Sequence, residues 1–185
     1  VKLYKDGSHV KTIEPKKNSY DMAAIMKQNG SGEYRFTVVA VSTGLFGSDI
    51  KDSDVASSPD RQYYKAPDIT KQPENYETTE TVSAAFTVGA SVDRNETLTY
   101  QWQRKEDGSD KWKDISGANS TEYKIKECVL EDGNYDYRCR VEDEKDNEVY
   151  SNEASLIVNK KPVINISASA NPVERSKETE LTANV

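Results

Sequence analysis

Histidine occurs once, at His9, and cysteine twice, at Cys128 and Cys139. One imidazole leaves almost no raw material for a histidine-rich metal centre or a Ser-His-Asp triad. Two thiols cannot build a disulfide-rich scaffold or a cysteine-based zinc site. No run approaches the ~18 consecutive apolar residues of a membrane-crossing helix. Hydrophobic residues make up only 35% of the 185, and the mean hydropathy is -0.85. An ordinary globular chain has roughly 45–50%, a figure that also counts glycine. Positive charge is in deficit: 25 Lys and Arg face 32 Asp and Glu, for a formal charge of -7. Neutralising phosphates requires the opposite balance, which argues against a nucleic-acid partner. There is no Gly-rich phosphate loop, and in so acidic a chain no two carboxylates stand out as an acid–base couple. These deficits point to no catalytic residues, no cofactor and no metal. What the chain does have is aromatic residues: 11 Tyr, 3 Phe and 2 Trp. A disordered acidic chain is poor in them. The combination fits small folded units with a thin core and much surface, and the length allows one or two.

Period-2 alternation recurs along the chain. In the run from Tyr34 to Val41, the residues Tyr34, Phe36, Val38 and Ala40 share one face. Similar runs are Thr97–Gln103, Tyr135–Val141 and Ala154–Val158. Each is short and rich in β-branched or aromatic types, as a half-buried strand requires. Turn-forming clusters separate them: Lys5-Asp6-Gly7-Ser8, Asn29-Gly30-Ser31-Gly32, Glu106–Asp110, Glu131-Asp132-Gly133-Asn134 and Asp143–Asn147. Tyr20–Gln28 is the exception and reads as one or two helical turns. Short strands between closely spaced turns predict an all-β chain of sandwiches.

Prolines mark the boundaries. Lys65-Ala66-Pro67 and Lys160-Lys161-Pro162 each follow a strand, and proline stops a strand ladder from running on. The chain divides into 1–64, 65–159 and 160–185. Only the middle piece is long enough for a whole sandwich.

The middle piece carries the most specific phrases: Tyr100-Gln101-Trp102-Gln103, Gly117-Ala118-Asn119-Ser120, Tyr137-Arg138-Cys139-Arg140-Val141-Glu142-Asp143 and Ser151-Asn152-Glu153-Ala154-Ser155-Leu156. In this order they resemble the bacterial immunoglobulin-like domains of multi-domain Gram-positive surface proteins, over nearly all of 67–158. The resemblance implies that Trp102, on strand C, lies across the core. Cys139, on strand F, points inward beside it. Tyr137 forms a tyrosine corner, its hydroxyl bonding backbone near the E–F turn. Val82, Ala84, Phe86 and Val88 share one face of strand B, and Phe86 or Ala84 stands where an antibody domain has its other cysteine. Apolar packing then replaces the inter-sheet disulfide.

Residues 1–64 resemble the second half of a fibronectin type III domain, from strand C to strand G. The phrase Gly32-Glu33-Tyr34-Arg35-Phe36-Thr37-Val38-Val39-Ala40 matches that family's strand F. Strands A and B have no counterpart, which implies a bare core face. Val163–Ala168, Asn171-Pro172-Val173 and Glu180–Val185 look like strands A and B of a third sandwich. Together with Val1 in first place and no signal peptide behind it, this points to a piece of a longer array. A second arrangement has the tail docking on the open half-domain as a donated strand.

Candidate chemistry is thin. A Cys128–Cys139 bridge needs Cα atoms within ~7 Å, and the E–F crossover favours two separate buried thiols. Asp49, Asp52 and Asp54, and the cluster Glu142, Asp143, Glu144, Asp146 and Glu148, offer oxygen ligands for calcium. Neither has the spaced frame of a dedicated loop, and the second, with Lys145 inside it, reads as a solvated F–G hairpin. Trp112, flanked by charges, is the candidate ligand-contact residue for a glycan, against packing on the sheet, which the family pattern favours. Asn29, Asn95, Asn119 and Asn165 begin glycosylation sequons.

The resemblance implies a non-catalytic structural or adhesive module of a secreted or cell-wall-associated bacterial protein. Such a module acts as a stalk or contacts an unknown protein or glycan at the cell surface, as a monomeric unit of a longer chain. The alternative is an accessory module beside the catalytic domain of a secreted carbohydrate-active enzyme or peptidase. Fold alone does not separate these readings.

Overall fold

A computed structural model describes residues 1–14, 21–40, 53–168 and 181–184. The chain is all-β; among the described residues there are one short helix and one 3-10 turn. Its strands are β1 (Lys2–Lys5), β2 (Ser8–Thr12), β3 (Gly32–Val38), β4 (Ala56–Ser57), β5 (Arg61–Tyr63), β6 (Asp68–Lys71), β7 (Tyr76–Thr79), β8 (Ala84–Thr87), β9 (Gly89–Ser91), β10 (Thr99–Glu106), β11 (Lys113–Asp114), β12 (Glu122–Ile125), β13 (Tyr135–Glu142), β14 (Glu148–Tyr150), β15 (Ala154–Asn159), β16 (Asn165–Ala168) and β17 (Leu181–Asn184). The helix α1 spans Ala23–Asn29, and the 3-10 turn Leu130–Asn134 leads into β13.

Two compact units form. One comprises Val1–Thr70, Ala90–Thr99 and Val141–Tyr150; the other comprises Lys71–Gly89, Tyr100–Arg140 and Ser151–Val185. Residues 90–99 and 141–150 of the middle segment thus group with residues 1–70.

In the first unit the sheet order is β2-β1-β3-β4, with β5 also on β3. The β1–β2 turn has Asp6 at φ 48° and Gly7 at φ 78°. An Asp-Gly pair takes these left-handed angles readily, and their twist suits a two-residue hairpin. The helix starts where Asp21 Oδ1 accepts the Ala23 amide at 2.8 Å. It ends at Gly30, with φ 80° and ψ -172°, a conformation close to glycine-only. Ile25 packs with Leu3, Ile13 and Tyr34 into the core of this unit. The Tyr34 hydroxyl donates to the Gly30 carbonyl at 2.7 Å. The strand face shared by Tyr34, Phe36 and Val38 is covered unevenly: Tyr34 is buried, while Phe36 and Val38 remain 42% and 40% exposed. Helix α1 shields the Tyr34 end of that face.

The second unit is a sandwich. One sheet runs β11-β10-β13-β15-β7, with β7 parallel to β15; the facing pair is β12-β8. Strand β12 pairs β8 from Glu122 opposite Thr87 to Ile125 opposite Ala84. Ala84, Phe86 and Val88 from one side meet Trp102, Tyr137, Cys139 and Leu156 from the other, all buried. Burying side chains of this size contributes ~1.5–3 kcal/mol each. Val82 differs from the alternation: it is 52% exposed. Thr81 takes φ 68° and the Val82 amide bonds the Thr79 carbonyl, so a turn rotates the chain before β8 begins. Strands β16 and β17 pair antiparallel, Asn165 opposite Asn184 to Ala168 opposite Leu181.

Candidate functional site

The sandwich core is an aromatic stack with polar ties at its edge. Phe86 and Tyr137 stack at 4.8 Å between ring centroids, and Trp102 lies 6.2 Å from Phe86 and 6.1 Å from Tyr123. Trp102 is fully buried, and its Nε1 donates to the Ser120 carbonyl at 2.9 Å. The phenol of Tyr137 donates to the Asp132 carbonyl at 3.0 Å, which fixes the 3-10 turn to β13. Burial, and next the nearby Asp132, push that phenol's pKa well above its ordinary value.

Both cysteines are free and buried. Burial pushes the Cys139 thiol up to about 11, opposed by a Gln101 backbone hydrogen bond. Cys128 is also raised, by burial and then by Asp132. A thiolate is the reactive species, so neither thiol should react with a chromogenic disulfide reagent in the native protein near neutral pH. Both cysteines should react once the chain is denatured, with or without prior reductant. One fast native thiol, or a loss of both without reductant, would refute this.

The outer face of β10, β11 and β13 carries the candidate ligand contact. The half-buried Trp112 has the Arg138 guanidinium 4.2 Å and the Lys105 ammonium 5.0 Å from its ring centroid. Arg138 Nε donates to Gln103 Oε1 at 2.9 Å, and Gln103 Nε2 donates to Asp114 Oδ1 at 2.7 Å. Lys105 pairs with Glu153 at 2.9 Å and Asp136 at 3.6 Å. The indole is therefore engaged by cations that are themselves tied to the sheet. Cation–π contacts of this kind contribute about 0.5–1 kcal/mol at partly exposed sites. The arrangement places two cations beside the half-buried Trp112 ring.

The carboxylate clusters resolve differently. Asp49 and Asp52 lie outside the described residues. Asp143, in the F–G cluster, has a fully buried side chain and receives the guanidinium of Arg94 at 2.6 Å. Its Oδ1 also accepts the amides of Lys145 and Asn147, each at 2.9 Å. Burial alone would raise its pKa, but these bonds, led by those from Asn147, outweigh that and hold the carboxyl below its usual range. Its oxygens thus organise a turn. Among the described residues no group of three or more His, Cys, Asp or Glu is placed to hold a metal ion. His9 is exposed on β2, its Nε2 3.0 Å from Thr12 Oγ1 and its ring edge-on to Tyr4.

Neither Arg94 nor Ser31 stands out in the sequence as a functional residue. Four of the bonds that hold them span 29 to 63 residues, and no local spacing marks such pairs. The available signal was an arginine set among acids in Asp93-Arg94-Asn95-Glu96.

Residues 70–160 match a family model described as a domain of unknown function (DUF8696). No curated protein matches the chain. Among solved structures the chain is similar to a titin M10–obscurin-like 1 Ig complex, with 14% identity, TM-score 0.38, and coverage of 52% of this chain and 97% of that one. It is also similar to Drosophila OTK extracellular domains 3–5, with 15% identity, TM-score 0.38, and coverage of 57% and 38%. A third is Rst D1-D2, with 17% identity, TM-score 0.40, and coverage of 57% and 54%.

Proposed function

We propose that this chain is a non-catalytic structural module, a stalk segment of a larger secreted or cell-surface protein. The observation that carries the reading is hydrogen-bond saturation. Among the described residues no buried side-chain nitrogen or oxygen lacks a partner. A catalytic or small-ligand site aims convergent polar groups at what it receives. Here the buried polar side chains join parts of the chain to one another: Gln103 ties Arg138 to Asp114, and Ser151 Oγ accepts the Cys139 amide and donates to the Asn152 carbonyl. The surface location rests on the resemblance to modules of bacterial surface proteins, where the partner is a protein or a glycan.

The parent protein tests the reading. Deleting residues 67–158 should impair attachment of cells that display it, because the head loses reach. Trp112→Ala, with folding checked by circular dichroism, should leave attachment unchanged and should alter no signal on a glycan array. If Trp112→Ala alone abolishes attachment or array binding, the outer face is a binding site and the stalk reading fails.

A further inference from the structure

One side chain in the first unit collects partners from four separate stretches of sequence. Arg94 is 13% exposed at its side chain. Its Nη1 donates to Ser31 Oγ at 2.5 Å and to the Lys65 carbonyl at 2.8 Å. Its Nε and Nη2 grip Glu96 Oε1 and Oε2 at 2.9 and 3.0 Å, and Nη2 also reaches Asp143. Asp93 Oδ1 lies 3.2 Å from Nη1. A guanidinium has five N–H donors in a rigid fork, and this one uses its whole fork.

The partners are bonded to one another as well. Ser31 Oγ donates to Asp93 Oδ1 at 2.7 Å and accepts the Lys65 amide at 2.8 Å. The Ser31 amide donates to Asp93 Oδ2 at 2.6 Å. Tyr64 lies under two cations, with Arg94 and Lys145 each 5.3 Å from its ring centroid. Gly30 makes the close approach feasible. A Cβ there would stand 2.5 Å from Asp93 Oδ2, and its φ of +80° already disfavours any side chain.

Ser31 belongs to the fibronectin-like segment and Lys65 to the boundary. Arg94 and Asp143 sit in loops of the immunoglobulin-like segment. We infer that Arg94 is a latch: it locks the loops 90–99 and 141–150 onto the Asn29–Gly32 turn and the Lys65 backbone, making a stiff joint between two sequence modules. This deepens the stalk reading, because a spacer with stiff joints holds its head at a set distance. The latch is nevertheless a property of this chain and is measured on it alone, whereas the stalk reading is tested in the parent protein.

The test uses Arg94→Met, Ser31→Ala and the double variant of the full chain. Amide hydrogen exchange is read at Lys65 and Asn147, together with the rate of tryptic cleavage after Lys65. Cleavage follows the population of the opened joint, so each single variant should speed it roughly tenfold. The double variant should be no faster than Arg94→Met, because both changes open one latch. The Cys139 amide, bonded to Ser151 Oγ, should stay protected and so report an intact sandwich. If Arg94→Met does not fold, Ser31→Ala, at a half-buried turn position, carries the same comparison. Lys65 exchange and cleavage unchanged within about twofold, or effects that multiply in the double variant, overturn the latch.

Discussion

Replacing Trp102 with alanine is expected to lower the stability of the sandwich by about 3–5 kcal/mol, the cost of emptying a large buried aromatic site. Three losses add. The indole is fully buried, so its transfer contribution goes entirely. Its neighbours Phe86 and Tyr123 sit on strands of the facing pair and cannot collapse into the space without moving the sheets together. The Ser120 carbonyl also loses its donor, which frees the Gly117–Ser120 loop at its far end. Domains of this size have ~5–15 kcal/mol of stability in all, so the variant stands near the edge of folding. Urea unfolding followed by far-ultraviolet circular dichroism checks this: the midpoint should fall with little change in slope. Trp102→Phe, which keeps a ring but loses the N–H, should fall between the two. A loss under about 1 kcal/mol for Trp102→Ala would mean that the core closes without this side chain, contrary to its central place.

The residues behind this prediction were legible because period-2 patterning and turn chemistry act locally. Strand β15 runs from Ala154 to Asn159, one residue beyond the alternating run Ala154–Val158. Tyr137 and Cys139 fall two apart on β13 and both point inward, as the period requires. Local patterns fail where a turn or a neighbour intervenes. Val82 matched the inward alternation, yet the positive φ of Thr81 turns it outward. Phe36 and Val38 share the face of Tyr34, but burial also needs something to lie on that face, and α1 packs at the Tyr34 end. Of the Arg94 cluster only an arginine set among acids was legible. Its bonds span up to 63 residues, and whether Asp143 is a solvated loop acid or a buried ion-pair partner depends on what folds against it. Trp112 is intermediate. Its flanking charges offered a ligand contact while the family pattern favoured packing on the sheet, and the cations beside the ring are Lys105 of β10 and Arg138 of β13, the latter far from it in sequence.

Removing Asp143 should be nearly as damaging as emptying the core, and the damage should depend on pH. Its side chain is fully buried against a guanidinium that stays charged at any accessible pH. Asp143→Ala leaves Arg94 short of one acceptor in a poorly solvated site and strips the Lys145 and Asn147 amides of theirs. Breaking one side of a buried ion pair typically costs about 3–5 kcal/mol. The partial exposure of Arg94, and its remaining bonds to Glu96, place the expected loss near the lower end. The sign with pH follows from the direction of the shift. The Asp143 carboxyl is held below its ordinary value in the folded chain, so its contribution is fully present above the unfolded value of ~3.9. It is lost as pH falls through the lower folded value. Asp93 and Glu96 are shifted the same way. For each, burial opposes the shift; bonds from Ser31 for Asp93, and from Arg94 for Glu96, outweigh it. Both remain in the variant, which therefore keeps some acid sensitivity. The gap in urea midpoint between wild type and Asp143→Ala should be widest near neutral pH and narrow as the pH drops below about 4, because wild type then loses what the variant already lacks. A gap that stays constant through the acid range would show that Asp143 acts through its shape and not its charge, and Asp143→Asn would then be as stable as wild type.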